Sequence, residues 1–205
     1  MVDNFQLFRS KLKFESEDDY YFLAIWRRGK DSPLNPADNY PIKFYYIKSL
    51  EHFDKLENEI KSICDVLNSR AYLYLNRRSF EKTAFKTLKH IADNLLSRNY
   101  ECIKNSYISM AGSFSNDPDK KWIIDVDNYD EHVVRDLIKF IDYCMPLDRI
   151  KYLFEYPTKS GVHLVTRPFD LKYFNEYGGE ELLKKLDATI FKDGMSLLYV
   201  NLKDG

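Results

Sequence analysis

WIIDVDN, residues 122–128, is the stretch on which the reading of this chain turns. Trp122 to Val126 are dense in β-branched and aromatic side chains and predict a strand, and the polar Asp127-Asn128 predicts its end. Side chains two apart on a strand leave the same face, so Asp125 and Asp127 project together from the end of a hydrophobic element. Two neighbouring carboxylates are costly to bury unless a cation neutralises them. Ligands that offer only oxygen select hard cations such as Mg2+ or Mn2+. The plainer alternative is a strand that runs into a turn, with Asp127-Asn128 merely starting the next helix.

Downstream, Asn128 with Glu131 reads as a capping-box start for a helix to about Cys144 that buries Val133, Val134, Leu137, Ile138 and Ile141. RIKYLFE (149–155) and VHLVT (162–166) read as strands joined by a tight turn at PTKSG. His163 and Val165 share one face of the second of these strands; Val162, Leu164 and Thr166 share the other. Lys159, Ser160 and Gly161 form a donor-rich turn just before it, suited to an anion. Arg167 lies near the strand's end, within reach of a phosphate or paired with Asp170. A short helix near 179–186 and a strand at 196–200 complete this half.

Upstream, strands are expected at 20–26 and 42–47, separated by the Gly/Pro/Asn-rich RRGKDSPLNPADNYP. A helix capped by Ser49 carries Phe53, Leu56, Ile60, Ile63, Cys64 and Leu67 at helical spacing. A strand at 71–75 and a helix at 80–97 with Phe80, Ala84, Leu88, Ile91 and Leu95 on one face follow, and 108–121 reads as a loop. The order is ββαβα, then βαββαβ: a mixed α/β (α+β) chain with lobes 1–110 and 111–205, divided best at 111–121. Arg77 and Arg78 follow a strand and are candidate contacts to a nucleotide or template phosphate, although surface arginines at a strand end are commoner. The same holds for Arg27-Arg28-Gly29-Lys30. Tyr72 and Tyr74 share a strand face and are candidates for stacking on bases or for plain core packing.

At 44% hydrophobic and 16% aromatic residues, the 205-residue chain has a full core and is not disordered. A net charge of −1 argues against a broadly basic nucleic-acid coat, so any such contact is a local patch. Cys64, Cys102 and Cys144 contain no C-x-x-C, which argues against a zinc finger or a disulfide framework and fits a reducing cytoplasm. No run of 18 apolar residues exists and the first residues lack an apolar signal core, so neither a membrane span nor a signal peptide is expected.

A hydrophobic strand, D-x-D, a helix, a strand, and then small-x-His opening the next strand resembles the first two motifs of the archaeo-eukaryotic primase (primase-polymerase) superfamily. Asp125, Asp127, Gly161 and His163 stand at the motif positions, with His163 36 positions after Asp127. The superfamily's third motif is a hydrophobic residue followed by Asp, for which KKLDATIFKDGMSLLYV offers Asp187, preceded by Leu186, or Asp193. Tyr199 stands where Arg is common. The resemblance covers about 120–200. It implies two packed lobes with an RRM-like, mostly antiparallel catalytic sheet. It also implies Mg2+ or Mn2+ on Asp125 and Asp127, completed by Asp187 or Asp193. His163, Lys159, Ser160 and Gly161, helped by Arg167, would hold an incoming nucleoside triphosphate. The implied reaction is nucleotide addition on a single-stranded nucleic-acid template, beside a helicase or other replication protein, in a cytoplasmic protein of the kind a phage or mobile element encodes.

Two other readings compete. Gly112-Ser113 followed by Asp125-x-Asp127 fits the spacing of polymerase-beta-like nucleotidyltransferases, where the Gly-Ser opens a helix that leads to the aspartates; SFSNDPDKK is polar and Pro-broken, a poor helix. A primase-like fold that binds nucleotide or nucleic acid without catalysis is the non-enzymatic alternative.

Overall fold

The computed structural model describes residues 1–31, 39–113, 115 and 117–201. The loop expected after the first strand therefore lies, over 32–38, outside the described residues. In chain order the elements are β1 (Val2–Asp3), α1 (Phe5–Arg9), β2 (Asp19–Arg27), β3 (Tyr40–Ile47), α2 (Leu50–Leu67), β4 (Arg70–Tyr74), β5 (Arg78–Ser79) and α3 (Phe80–Leu96). Then come α4 (Ser106–Ser113), β6 (Trp122–Val126), α5 (Glu131–Tyr143), β7 (Tyr152–Pro157), β8 (Val162–Thr166), α6 (Leu171–Glu176), α7 (Gly179–Lys185), β9 (Ala188–Phe191) and β10 (Met195–Val200).

Two antiparallel sheets make this an α+β fold. The first runs β1-β10-β4-β2-β3, with β5 added to β2, and the second runs β7-β8-β6-β9. The second, taken with α5 and α6–α7, is a βαββαβ unit whose first and third strands, β6 and β8, lie side by side in the middle, the split βαβ arrangement. Trp122, Ile124 and Val126 turn to α5, α6 and α7, where they meet Val134, Leu137, Ile141 and Phe174. The alternate positions Asp125 and His163 leave the other face, toward the junction with the first sheet.

α2 forms as its sequence predicts. Ser49 caps it by accepting from the His52 amide, and Phe53, Ile60 and Cys64 are buried against the first sheet. Each such side chain stabilises by roughly 1.5–3 kcal/mol when fully buried. Tyr156 and Val165 of the second sheet enter the same core, so the two sheets share it.

Four expectations need correction. The α3 face expected inside is largely outside, with Leu88 63% and Leu95 50% exposed. The helix instead buries Thr83 and Thr87, and His90 hydrogen-bonds Ser106 at the start of α4. Part of the expected 108–121 loop is helix, because 106–113 packs Ala111 onto Tyr20 and Phe22. α5 is capped by Asp130, which accepts from the His132 and Val133 amides, while Asn128 ties the end of β6 to α7 through Leu186 O and Lys185 O. The division into 1–110 and 111–205 is crossed at both ends. Residues 106–113 pack with the first sheet, and β10 runs back into it between β1 and β4. β9 (188–191) was not expected, since ATIF lies inside a stretch without clear alternation. No helix among the described residues is long and apolar enough to cross a membrane.

Candidate functional site

β6 and β8 pair in a register that sets Asp125 directly opposite His163. Opposed antiparallel residues carry their side chains on the same face, about 5 Å apart at Cβ. His163 Nε2 lies 2.7 Å from Asp125 Oδ1, and its other nitrogen, Nδ1, lies 2.8 Å from the Tyr156 hydroxyl on β7. A carboxylate oxygen only accepts, so Nε2 carries the proton there, and in the neutral imidazole Nδ1 accepts from Tyr156. Burial pushes the Tyr156 phenol far above its ordinary pKa, with the charge of Asp125 adding to it against a lowering contact from Ser196. Tyr156 therefore stays a donor. Its ring is wedged edge-on against Phe8, 4.8 Å between centroids, which fixes the hydroxyl beneath the imidazole.

Asp125 and His163 open into a cavity of about 450 Å3 between the two sheets. The second sheet contributes Asp125, Asp127, His163 and the turn Thr158–Ser160; the first contributes Tyr72 and Tyr74 from β4 and Leu197 from β10. Asp193 enters from the link between β9 and β10, held by Asn76 Nδ2 at 2.9 Å and by the buried Arg78 at 3.2 Å. Arg28, Arg70 and Lys159 line the same cavity. Arg70 forks onto Asp31 with two contacts of 2.5 Å, and Lys159 approaches the same carboxylate at 3.4 Å. Burial alone would raise the Asp31 carboxyl, but the Arg70 hydrogen bonds and charge, with Lys159, outweigh it and hold the pKa below the ordinary carboxylate range. One buried carboxylate thus sits against two cations of the cavity lining, Arg70 and Lys159.

The expected residues divide. Asp125, Asp127, Lys159, Ser160, His163 and Asp193 come together. Asp187 does not: it faces a separate small cavity with Glu180 and Lys184, and at φ 45° it is the left-handed residue that ends α7. Between the two candidates for a third acid, the cavity takes Asp193. Gly161 closes the turn with Thr158 and does not line the cavity as part of an anion cradle. Its amide is used by Thr158 Oγ1 at 3.0 Å, and its lack of a side chain lets it press on Val126. Arg167 is turned away from His163 and lines another cavity, contacting Ile150 O and Asp119. Arg77 and Arg78 are not phosphate contacts at an open surface. Arg77 is 6% exposed and pairs with Asp19 and Glu15, and Arg78 is fully buried on Ala111 O, Asn76 O and Asp193. Arg70, Asp31 and Tyr156 were missed. For Arg70 a signal existed, since Arg70, Tyr72 and Tyr74 alternate along one face of β4; for Tyr156 none did. The Gly112-Ser113 pair closes α4 instead of opening a helix. No family model matches the sequence, and no curated protein or solved structure matches the chain.

Proposed function

We propose that this protein is a divalent-metal-dependent nucleotidyltransferase of the primase-polymerase type, adding nucleotides from a nucleoside triphosphate on a single-stranded nucleic-acid template. The observation that carries this reading is the cross-strand pair Asp125–His163, set in a cavity that the carboxylates Asp127 and Asp193 and the cations Arg28, Arg70 and Lys159 also line. A triphosphate with its cation matches a lining of both charges. The split-βαβ second sheet is RRM-like in this reading, and the two sheets with their helices are the two lobes. A cytoplasmic setting, a helicase or other replication protein as partner, and a phage or mobile-element origin belong to the same proposal.

The donor set fits Mg2+ or Mn2+. Asp125 and Asp127 present oxygen alone, and Asp127 is exposed to the cavity. Among the described residues no three Asp, Glu, His or Cys side chains converge to hold an ion. Mg2+ is commonly held by one or two carboxylates, with substrate phosphates and water supplying the rest, so a full protein cage is not required. Bound there, the ion would supply activation of an attacking hydroxyl and neutralisation of phosphate charge. His163, its ring fixed by Tyr156, donates from Nε2 to Asp125 and is placed to donate to a phosphate oxygen once that carboxylate is engaged elsewhere. Arg28, Arg70 and Lys159 balance the triphosphate tail, and Tyr72 and Tyr74 line the cavity beside them, with Arg78 over one face of the Tyr74 ring.

The test is incubation with a single-stranded template, Mg2+ or Mn2+, and labelled NTPs or dNTPs, beside an Asp125→Ala/Asp127→Ala variant. Product from the natural chain and none from the variant is expected, and the preferred nucleotide distinguishes priming from DNA extension. Absence of product under every metal and nucleotide overturns the reading. One observation favours binding without transfer as the second reading: both Asp193 oxygens are already engaged, by Asn76 and Arg78. Nucleotide bound without product would support it.

A further inference from the structure

On the same face of the first sheet, next to the nucleotide cavity, lies a groove of about 510 Å3 lined by Phe22, Trp26, Phe44 and Tyr74 from the sheet and by Ile108 and Ser109 from α4. None of its lining residues is charged, and its volume is typical of a site that takes a planar organic group, roughly 300–1,000 Å3. The two cavities adjoin in register. Trp26 of the groove pairs across the β2–β4 ladder with Arg70 of the nucleotide cavity, Ala24 pairs with Tyr72, and Tyr74 lines both. Paired strands are about 4.8 Å apart, so the two cavities are direct neighbours. Phe22 and Phe44 stack on each other, 13° between ring planes with centroids 5.5 Å apart, and the half-buried rings of Trp26, Phe44 and Tyr74 line the groove. Arg28, two residues beyond Trp26, lines the nucleotide cavity and brings a cation to the seam between the two.

We propose that this groove is a stacking site for unpaired bases of the nucleic-acid strand whose neighbouring nucleotide occupies the Asp125–His163 cavity. The proposal rests on the nucleotidyl-transfer reading for its occupant, and on the groove's own geometry for its chemistry. Aromatic faces bind bases with little regard to sequence, because every base has a π-face, and each stacked base strengthens binding about 5-fold or more. Such a site suits a protein whose net charge of −1 leaves contacts by charge to local patches.

Trp26 makes the test direct. The other tryptophan, Trp122, is buried in the core of the second sheet. Its emission is a constant background. An oligothymidylate of about ten nucleotides is titrated against the protein at moderate salt, followed by tryptophan quenching and, with a labelled strand, by anisotropy. Quenching that disappears in Trp26→Phe, and that an abasic strand of equal length fails to produce, is expected. Ser109 is an exposed α4 position, and Ser109→Phe fills the groove without removing a core side chain. It should weaken binding about 5-fold or more with an unchanged thermal melt. Equal binding of the abasic strand, no quenching at Trp26, or full affinity in Ser109→Phe overturns the proposal. The natural chain, assayed for both quenching and polymer product, separates this idea from the transfer reading. Quenching without any polymer product leaves the stacking site standing and sinks the enzyme; product without quenching does the reverse.

Discussion

A methyl group on Gly161 would sit 1.9 Å from the Val126 carbonyl oxygen and 3.2 Å from the Cα of Asp127. The glycine before the His strand is therefore needed for close packing of the turn on the aspartate strand, and this contact is one reason the two motif segments meet. At Tyr156 the chemistry is finer. Tyr156→Phe keeps the ring against Phe8 and removes only the donor to His163 Nδ1, so a stability loss of about 1 kcal/mol is expected. If Tyr156 positions His163, the imidazole 15N signals of the variant shift toward a mixed tautomer and kcat falls more than KM rises. Unchanged imidazole signals would leave Tyr156 a packing residue. Asp31 gives a pH prediction. Its folded pKa is depressed, so its contribution to stability is present above the ordinary Asp value, about 3.9, and is lost as pH falls through the lower folded value. Its side chain is 1% exposed. Asp31→Asn leaves Arg70 buried without a counter-charge and should cost about 3–5 kcal/mol at neutral pH. Thermal melts across the acid range should show a flatter pH dependence for the variant than for the natural chain.

Among the elements, α2 and α3 look alike as sequences and behave differently as structures. Both carry apolar residues at helical spacing, and both are capped by a serine, Ser49 and Ser79. α2 lies on the shared core and buries its stripe; α3 packs on α4 through its polar side and leaves Phe85 and Leu88 at the surface. Substitutions should separate the two. Leu88→Lys is expected to change stability by less than about 0.5 kcal/mol, whereas Phe53→Ala should cost about 3–5 kcal/mol, both read by urea denaturation. Strands were more legible than helical faces. VHLVT was predicted at its observed bounds, because β-branched residues between a tight turn and a proline leave few alternatives. β9 escaped, because short edge strands carry too few residues to show a period.

For the molecule as a whole, the last strand matters most. β10 pairs with both β1 and β4, so the first sheet is incomplete until the C-terminal part of the chain has been made. A fragment ending at residue 110 would expose the long edge of β4, and unpaired edges template aggregation. That fragment is expected to be unfolded or aggregated by far-UV circular dichroism and gel filtration, and fusing residues 195–201 to it should restore a folded lobe. A soluble, folded 1–110 fragment would show that β10 is dispensable. The crossing also explains how Asp193 reaches the cavity. The link between β9 of the second sheet and β10 of the first passes over the junction, where Asn76 and Arg78 hold its carboxylate.

The alternation of WIIDV and VHLVT, by itself, determined two strands and which of their side chains share a face, since a period of two is local and any strand obeys it. Helical spacing likewise determined α2 and α5, and the order of elements the α+β class. Only the tertiary structure decided that the two strands are neighbours, with Asp125 opposite His163. It alone placed Asp193 in the cavity and Asp187 outside it, turned Arg167 away, and brought Arg28 and Arg70 into the same cavity as the carboxylates. The reason is physical. Faces and periods follow from bond geometry within a few residues, whereas the partner across a cavity is set by how two separate sheets bury a common core.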